Sequence, residues 1–281
     1  MNIKIISDST CDLSQELLAK YDITLVPLTV IKNDEQFKDG ITITPEEIFA
    51  HVANGGKLCT TAANSVGEYM DIFSQYASDY DAVIHINIGS AFSSCYQNAC
   101  LAAEEFDNVR VIDSQNLSTG QGLVVMRARE LARTCEDLDT IVAQLNEFTG
   151  KVEASFLLDR LDYMAKGGRC SAATALGANL LNLKPCIEVK NGKMGVVKKY
   201  RGHYDKCLAS YVKDRLDGRA DELAHTHLFV TQTRVSDACY SAVMNAVNQY
   251  SFFENVYETT AGCTVSCHCG PGTLGILFVR K

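Results

Sequence analysis

Residues 81–99 read DAVIHINIGSAFSSCYQNA, and the architecture turns on them. DAVIHINI (81–88) is a strand-length apolar run that passes straight into GSAFSS. Ser94 and Gln97 have the spacing of a helix cap, and the helix they open turns Tyr96, Ala99, Cys100 and Ala103 inward. A strand that feeds a serine-rich turn and then a capped helix is the unit from which parallel sheets are built.

The same rhythm runs outward in both directions. IKII (3–6) predicts a first strand, and Asp12 with Gln15 an N-cap after it. ITLVPLTVI (23–31) reads as one second strand. TPEE (44–47) has cap, proline and Glu47 in the order of a helix start. Ser65 and Glu68 cap a helix with Val66, Tyr69, Met70, Phe73 and Ala77 on one face. NVRVID (108–113) is a further strand, and Ser118 with Gln121 caps the helix beyond it. These units predict an α/β domain over 1–150, with a mainly parallel sheet and helices on both faces.

Past residue 150 the pattern changes. EASFLLD (153–159) predicts a strand, and a helical stretch ends at KGGRCS (166–171). An alanine-rich helix through Leu181 comes next. CIEVKNGKMGVVKKY (186–200) reads as a hairpin turning at Asn191-Gly192. Two helices alternating with strands follow, and GILFVRK (275–281) is the final strand. A second α/β domain over 151–281, with a mixed sheet, is expected.

Composition excludes several classes. The 281 residues carry a net charge of −8 without long like-charge runs, against the basic face of a nucleic-acid binder. No stretch approaches the ~18 apolar residues of a membrane span, so no stable membrane insertion is expected. Twelve cysteines lie scattered in apolar segments, the pattern of a reduced, cytoplasmic protein rather than of a disulfide framework. No Gly-x-Gly-x-x-Gly follows the first strand and no Walker loop is present, so no nucleotide cofactor is expected.

Chemistry is concentrated in hydroxyl-rich turns at strand ends. They are Ser7–Thr10, the turn Gly89–Ser94 with Ser90, Ser93 and Ser94, and Asp113-Ser114; Thr60-Thr61 with Ser65 forms another cluster. In open α/β sheets ligands sit beyond the carboxyl ends of strands, and hydroxyls there can hold a carboxylate. Each serine alone is equally a plain helix cap. In Lys166-Gly-Gly-Arg169 the glycines allow close backbone approach and Arg169 offers a fork for carboxylate or phosphate; the alternative is a helix end with a solvated arginine. In SCHCGPGTLG (266–275), read as a strand, His268 points away from both neighbouring cysteines, which disfavours a metal clip. His268 is then either a buried, satisfied histidine or one shown to a polar ligand by the Gly270-Pro271-Gly272 turn, and its charge could switch near neutral pH. A hydrolase using Ser93 or Cys95 with His268 is an alternative, though no base-orienting acid is evident near His268.

Taken in order, SDSTCDL, the helix-opening Thr-Thr…Ser, IGSAFSSCYQNA, VIDSQNLSTGQG, LDYMAKGGRCSAATALGANLLNLKPCIEVKNGKMGVVKKYRG and HCGPGTLG resemble the DegV family of bacterial fatty-acid-binding proteins. The resemblance implies two α/β domains with a long-chain fatty acid between them. It places the carboxylate on Thr61 and Ser93, and assigns Arg169 and His268 to the head group when it becomes an acyl phosphate. It implies a substrate-presenting subunit of a fatty acid kinase, whose separate subunit brings ATP. Two departures are visible. The family's TSQPS-like segment reads Thr61-Ala62-Ala63-Asn64-Ser65. Its SSGLSGT-like turn loses a central glycine and gains Phe92.

Overall fold

The computed structural model describes residues 1–175 and 183–281. The first part of the chain runs β1 (Ile3–Asp8), α1 (Gln15–Lys20), β2 (Ile23–Val26), β3 (Thr29–Lys32), β4 (Glu35–Lys38), α2 (Pro45–Ala53), β5 (Thr60–Ala62) and α3 (Val66–Ala77). It continues with β6 (Ala82–Asn87), α4 (Cys95–Ala103), β7 (Val109–Asp113), α5 (Ser118–Thr134) and α6 (Leu138–Thr149). Strands β2-β1-β6-β7 form an all-parallel sheet in that order. Every residue of β1 and β6 is buried, so both faces of the sheet are covered, as the near-continuous apolar runs require.

The second part runs β8 (Val152–Leu157), α7 (Asp162–Gly167), α8 (Ser171–Thr174), β9 (Leu183–Lys190), β10 (Lys193–Arg201) and α9 (Tyr204–Leu216). Then come β11 (Leu223–Thr233), α10 (Asp237–Val247), β12 (Asn255–Thr260), α11 (Cys263–Cys269) and β13 (Thr273–Arg280). The strands form one mixed sheet, β10-β9-β8-β13-β11-β12, in which only β11 and β12 are parallel neighbours. The hairpin turns at Asn191-Gly192, both in the left-handed region. The protein thus has two α/β domains, one on a parallel and one on a mixed sheet. Of the alanine-rich helix expected through Leu181, Ser171–Thr174 form α8, and the expectation for 176–181 lies outside the described residues.

Helix α5 sits between the two sheets, touching β1 and β6 on one side and β8, β11 and β13 on the other. Eleven of its residues are buried, including Ser118, Thr119 and Gln121. Gly122 makes that position possible, because a Cβ there would lie 2.8 Å from the Cys11 carbonyl. The main apolar core accordingly runs through both domains, from Ile5 and Val124 to Phe156 and Leu277.

Several local expectations are overturned by long-range contacts. ITLVPLTVI is two strands, not one: Pro27 has no N–H for a ladder, and β3 leaves to join β4 and β5 in a small antiparallel sheet. Ser14, not Asp12, caps α1. Ser94 makes no capping hydrogen bond, and neither does Ser118, which sits at φ 53° and donates to Asp12 at 2.6 Å. Met70 is exposed, whereas Tyr69 and Phe73 carry the buried face of α3. The predicted capping boxes at Thr44/Glu47 and Ser65/Glu68 both form. Cys267-His268-Cys269 is helical, not extended: it ends α11.

Candidate functional site

Helix α11 is fastened by acids from the other end of the chain. Asp39 accepts from the backbone N–H of Cys263 and Thr264, at 2.8 and 3.1 Å, and from Ser9 at 2.9 Å. Asp12 accepts from the N–H of Gly262 at 2.8 Å. Burial pushes the Asp12 carboxyl up to about 8. The carbonyl of Ile43 takes the Cys263 thiol at 3.1 Å. These contacts hold the helix axis against β3 and β5, and so fix what its side chains face.

What one face of α11 meets is a cavity of about 250 Å³ between the domains. Among the described residues, its polar lining comes from four places. Thr61 stands on β5, Ser93 and Ser94 on the β6–α4 turn, Arg169 just beyond α7, and Thr264 and His268 on α11. The rest of the wall is apolar, with Leu28, Ile88, Phe92, Leu117, Met164 and Val265 prominent. Phe92 is itself buried, and its ring forms part of the wall. A smaller void of about 30 Å³ shares Leu117, Val265 and Cys269 with this cavity and extends toward Phe156 and Leu277.

Thr61 Oγ1 and His268 Nε2 are hydrogen-bonded at 2.8 Å, across 207 residues of sequence. Burial, with Arg169 adding a like charge, pushes His268 down to about 4. The imidazole is therefore neutral at neutral pH, and the expected charge switch near pH 7 does not operate here. The close approach for which the Gly-Gly pair is suited is to this ring: a Cβ on Gly167 would lie 2.7 Å from His268 Nδ1. Gly168, at φ 70°, ends α7. Arg169 is exposed at the rim, its Nη1 donating to the Gly167 carbonyl at 2.7 Å.

Ser93 Oγ donates to Cys95 Sγ at 3.0 Å and accepts from the Cys95 N–H at 3.3 Å. Burial raises the Cys95 thiol to about 11, so it stays protonated near neutral pH. Neither Ser93 nor Cys95 is hydrogen-bonded to His268, and among the described residues His268 Nδ1 has no partner that would orient it as a base.

The remaining candidates lie elsewhere. Ser90 is exposed and bonds Asp113 through both its N–H and its hydroxyl, at 3.0 and 2.6 Å. Ser114 is buried, donating to the Asn116 carbonyl at 3.1 Å. Neither lines the cavity. Gly270 and Gly272, at φ 72° and 82°, form the turn after α11 and pack on Tyr163 and Asp159 rather than on the cavity. Of the Ser7–Thr10 turn, half-buried Ser9 bonds Asp39, while Ser7 and Thr10 are buried in a separate network around Asp8. There the carboxylate accepts from Gln121 Nε2 at 2.7 Å, from the Ile88 N–H at 2.8 Å, and from Asn87 and Thr10.

Thr264 was not legible as a candidate. It lies just before the stretch 266–275 and carried no signal of its own; on the helix it stands four residues before His268 and shares its face.

Comparison with known proteins bears on the whole chain. The family model described as "Uncharacterised protein, DegV family" matches residues 2–281. A DegV domain-containing protein of Clostridium acetobutylicum is 30% identical over 281 residues, covering 99% of each chain. A solved structure from Thermus thermophilus, titled as fatty acid binding of a DegV family protein, superposes with a TM-score of 0.92 at 28% identity over 100% of both chains. The crystal structure of DegV from Bacillus subtilis, described as a fatty acid binding protein, gives a TM-score of 0.87 at 27% identity over 100% of both chains. A stearic-acid-binding protein from Eubacterium ventriosum gives 0.84 at 25% identity, over 99% of this chain and 98% of its own. With a family model matched from end to end and relatives that share its full length, this chain belongs to the DegV family.

Proposed function

We propose that this protein binds a long-chain fatty acid between its two domains, with the carboxylate at Thr61 and Ser93 and the tail among the apolar side chains behind them. The observation that carries this reading is the Thr61–His268 hydrogen bond at the polar end of an otherwise apolar cavity. A neutral imidazole that donates from Nε2 to Thr61 Oγ1 leaves the threonine proton free for a carboxylate. Ser93 gives its proton to a thiol, a weak acceptor that a carboxylate would displace. The named relatives' fatty-acid binding supports the ligand class.

The energetics require the tail to be engulfed. Burying a C16 chain yields roughly 11 kcal/mol at ~0.8 kcal/mol per methylene. Association costs of ~4–15 kcal/mol offset much of it. The tail would occupy the cavity and reach past Leu117 and Val265 toward the smaller void beside Phe156 and Leu277.

The exposure of Arg169 at the cavity rim supports a head group open to transfer chemistry by another protein. The finer reading is that the chain presents its carboxylate to a separate, ATP-bringing fatty acid kinase subunit, and that Arg169 meets the added charge of the acyl phosphate. Native mass spectrometry of protein made in bacteria tests the first part: an adduct of fatty-acid mass is expected, and lipid-free protein that takes up no added oleate or palmitate overturns it. Acyl phosphate formation with an ATP-bearing kinase subunit tests the second. Arg169→Ala is expected to keep the lipid and lose the transfer; unchanged transfer removes Arg169 from the role.

A further inference from the structure

Thr264 is 5% exposed and lines the cavity, yet its hydroxyl has no hydrogen-bond partner among the described residues. That is costly for a buried polar group. Ser266, on the same helix, finds a partner by reaching back to the Ala261 carbonyl at 3.2 Å; Thr264, second in the helix, has no preceding turn whose carbonyl it could take. Its backbone position is not adjustable, because its N–H is held by Asp39 at 3.1 Å. The same carboxylate also takes the Cys263 N–H, so the first two N–H groups of α11 are already occupied.

Position decides what it is for. Thr264 and His268 are four apart on α11, which puts their Cβ atoms about 6 Å apart on one face. His268 touches Thr61, so the unpaired hydroxyl stands one helical turn from the polar end of the cavity. Its neighbour Val265 and the facing Leu28 and Leu117 are apolar, and a water there would find few of the partners that ordered buried water needs.

We infer that Thr264 is a third hydroxyl donor to the bound carboxylate, acting beside Thr61 and Ser93. This rests on the fatty-acid reading above and extends it. The hydroxyl stays unsatisfied in the lipid-free protein and is satisfied only when ligand arrives, so it contributes to affinity and not to folding.

The test compares Thr264→Val, of nearly the same shape, with Thr264→Ser, which keeps the hydroxyl. Affinities for oleate and for its methyl ester are measured by displacement of a fluorescent fatty acid, and the thermal midpoint of delipidated protein is recorded. Thr264→Val is expected to weaken oleate about tenfold, leave the ester unchanged, and keep or raise the midpoint. Thr264→Ser is expected to bind oleate like the parent. Equal losses for acid and ester would assign Thr264 to tail packing, and a lowered midpoint of the delipidated protein would assign it to structure. Either result overturns the inference, as does undiminished oleate binding by Thr264→Val. Failure of the unsubstituted protein to bind oleate sinks the fatty-acid reading itself and is seen separately.

Discussion

Two buried polar clusters lie near α5 and α11, and they are satisfied in different ways. Around Asp8, the carboxylate takes Gln121, Ile88, Asn87 and Thr10. Around His268, the Thr264 hydroxyl has no partner among the described residues, and Thr264 and His268 both line a cavity. A met network ties elements together; an unmet one beside open space is a place for something to bind. The cavity is the necessary half of the criterion. Within and beside the Asp8 network, Asn87 Oδ1 and His85 Nδ1 also lack partners among the described residues, but there the His85 ring is packed against Tyr69 and Phe73 rather than lining a cavity.

The largest effect should come from the satisfied cluster. Asp8→Ala strands the groups that now donate to it, and a loss of about 3–5 kcal/mol is expected in urea unfolding. A loss below about 1 kcal/mol would show that the network holds nothing.

Next comes the pH response of the unsatisfied cluster. His268 is pushed down from 6.5 to about 4 in the folded protein, so on acidification the unfolded chain takes the proton first. Its contribution is intact above pH 6.5 and is lost as the pH falls to 4, by roughly 3 kcal/mol. Asp12, raised by burial from 3.8 to about 8, works in the opposite direction: the folded state holds the proton longer, so lowering the pH from 8 toward 4 favours folding. Unfolding of the parent and of His268→Gln at pH 7 and pH 4 separates the two. The variant should lose less stability across that interval, and an identical pH dependence would contradict the buried, neutral imidazole.

A smaller but more specific effect is expected for ligand. Thr61→Ala with Ser93→Ala should weaken oleate about 100-fold, at ~1.5 kcal/mol per charge-assisted bond. Comparable affinity in the double variant would move the carboxylate elsewhere. The smallest effect belongs to Ser90→Ala. Its exposed bonds to Asp113 touch neither cluster, so stability should stay within about 0.5 kcal/mol and oleate affinity should not change.

Much of the architecture was legible because its causes are local. Apolar runs marked β1 and β6, and the boxes at Thr44/Glu47 and Ser65/Glu68 were readable because cap and partner are three residues apart. The same rule misread Asp12, Ser118 and Gln121. Their spacing is that of caps, but Ser118 reaches Asp12 across 106 residues and Gln121 reaches Asp8 across 113. SCHC (266–269) was misread as a strand for another reason: a helix of seven residues, closed by Gly270, is too short to display its period. The site was named through family resemblance rather than spacing. Thr61, Ser93, Arg169 and His268 come from four separate elements, and Thr264 was hidden with the helix that carries it.

By itself, then, this sequence determined which stretches become strands and helices, since apolar periodicity and capping act within a few residues. Tertiary structure decided which polar side chains find partners and which are left facing a cavity. That choice depends on groups 100 to 250 residues apart meeting in space, as Gly262 and Asp12 do across 250, and no local pattern encodes it.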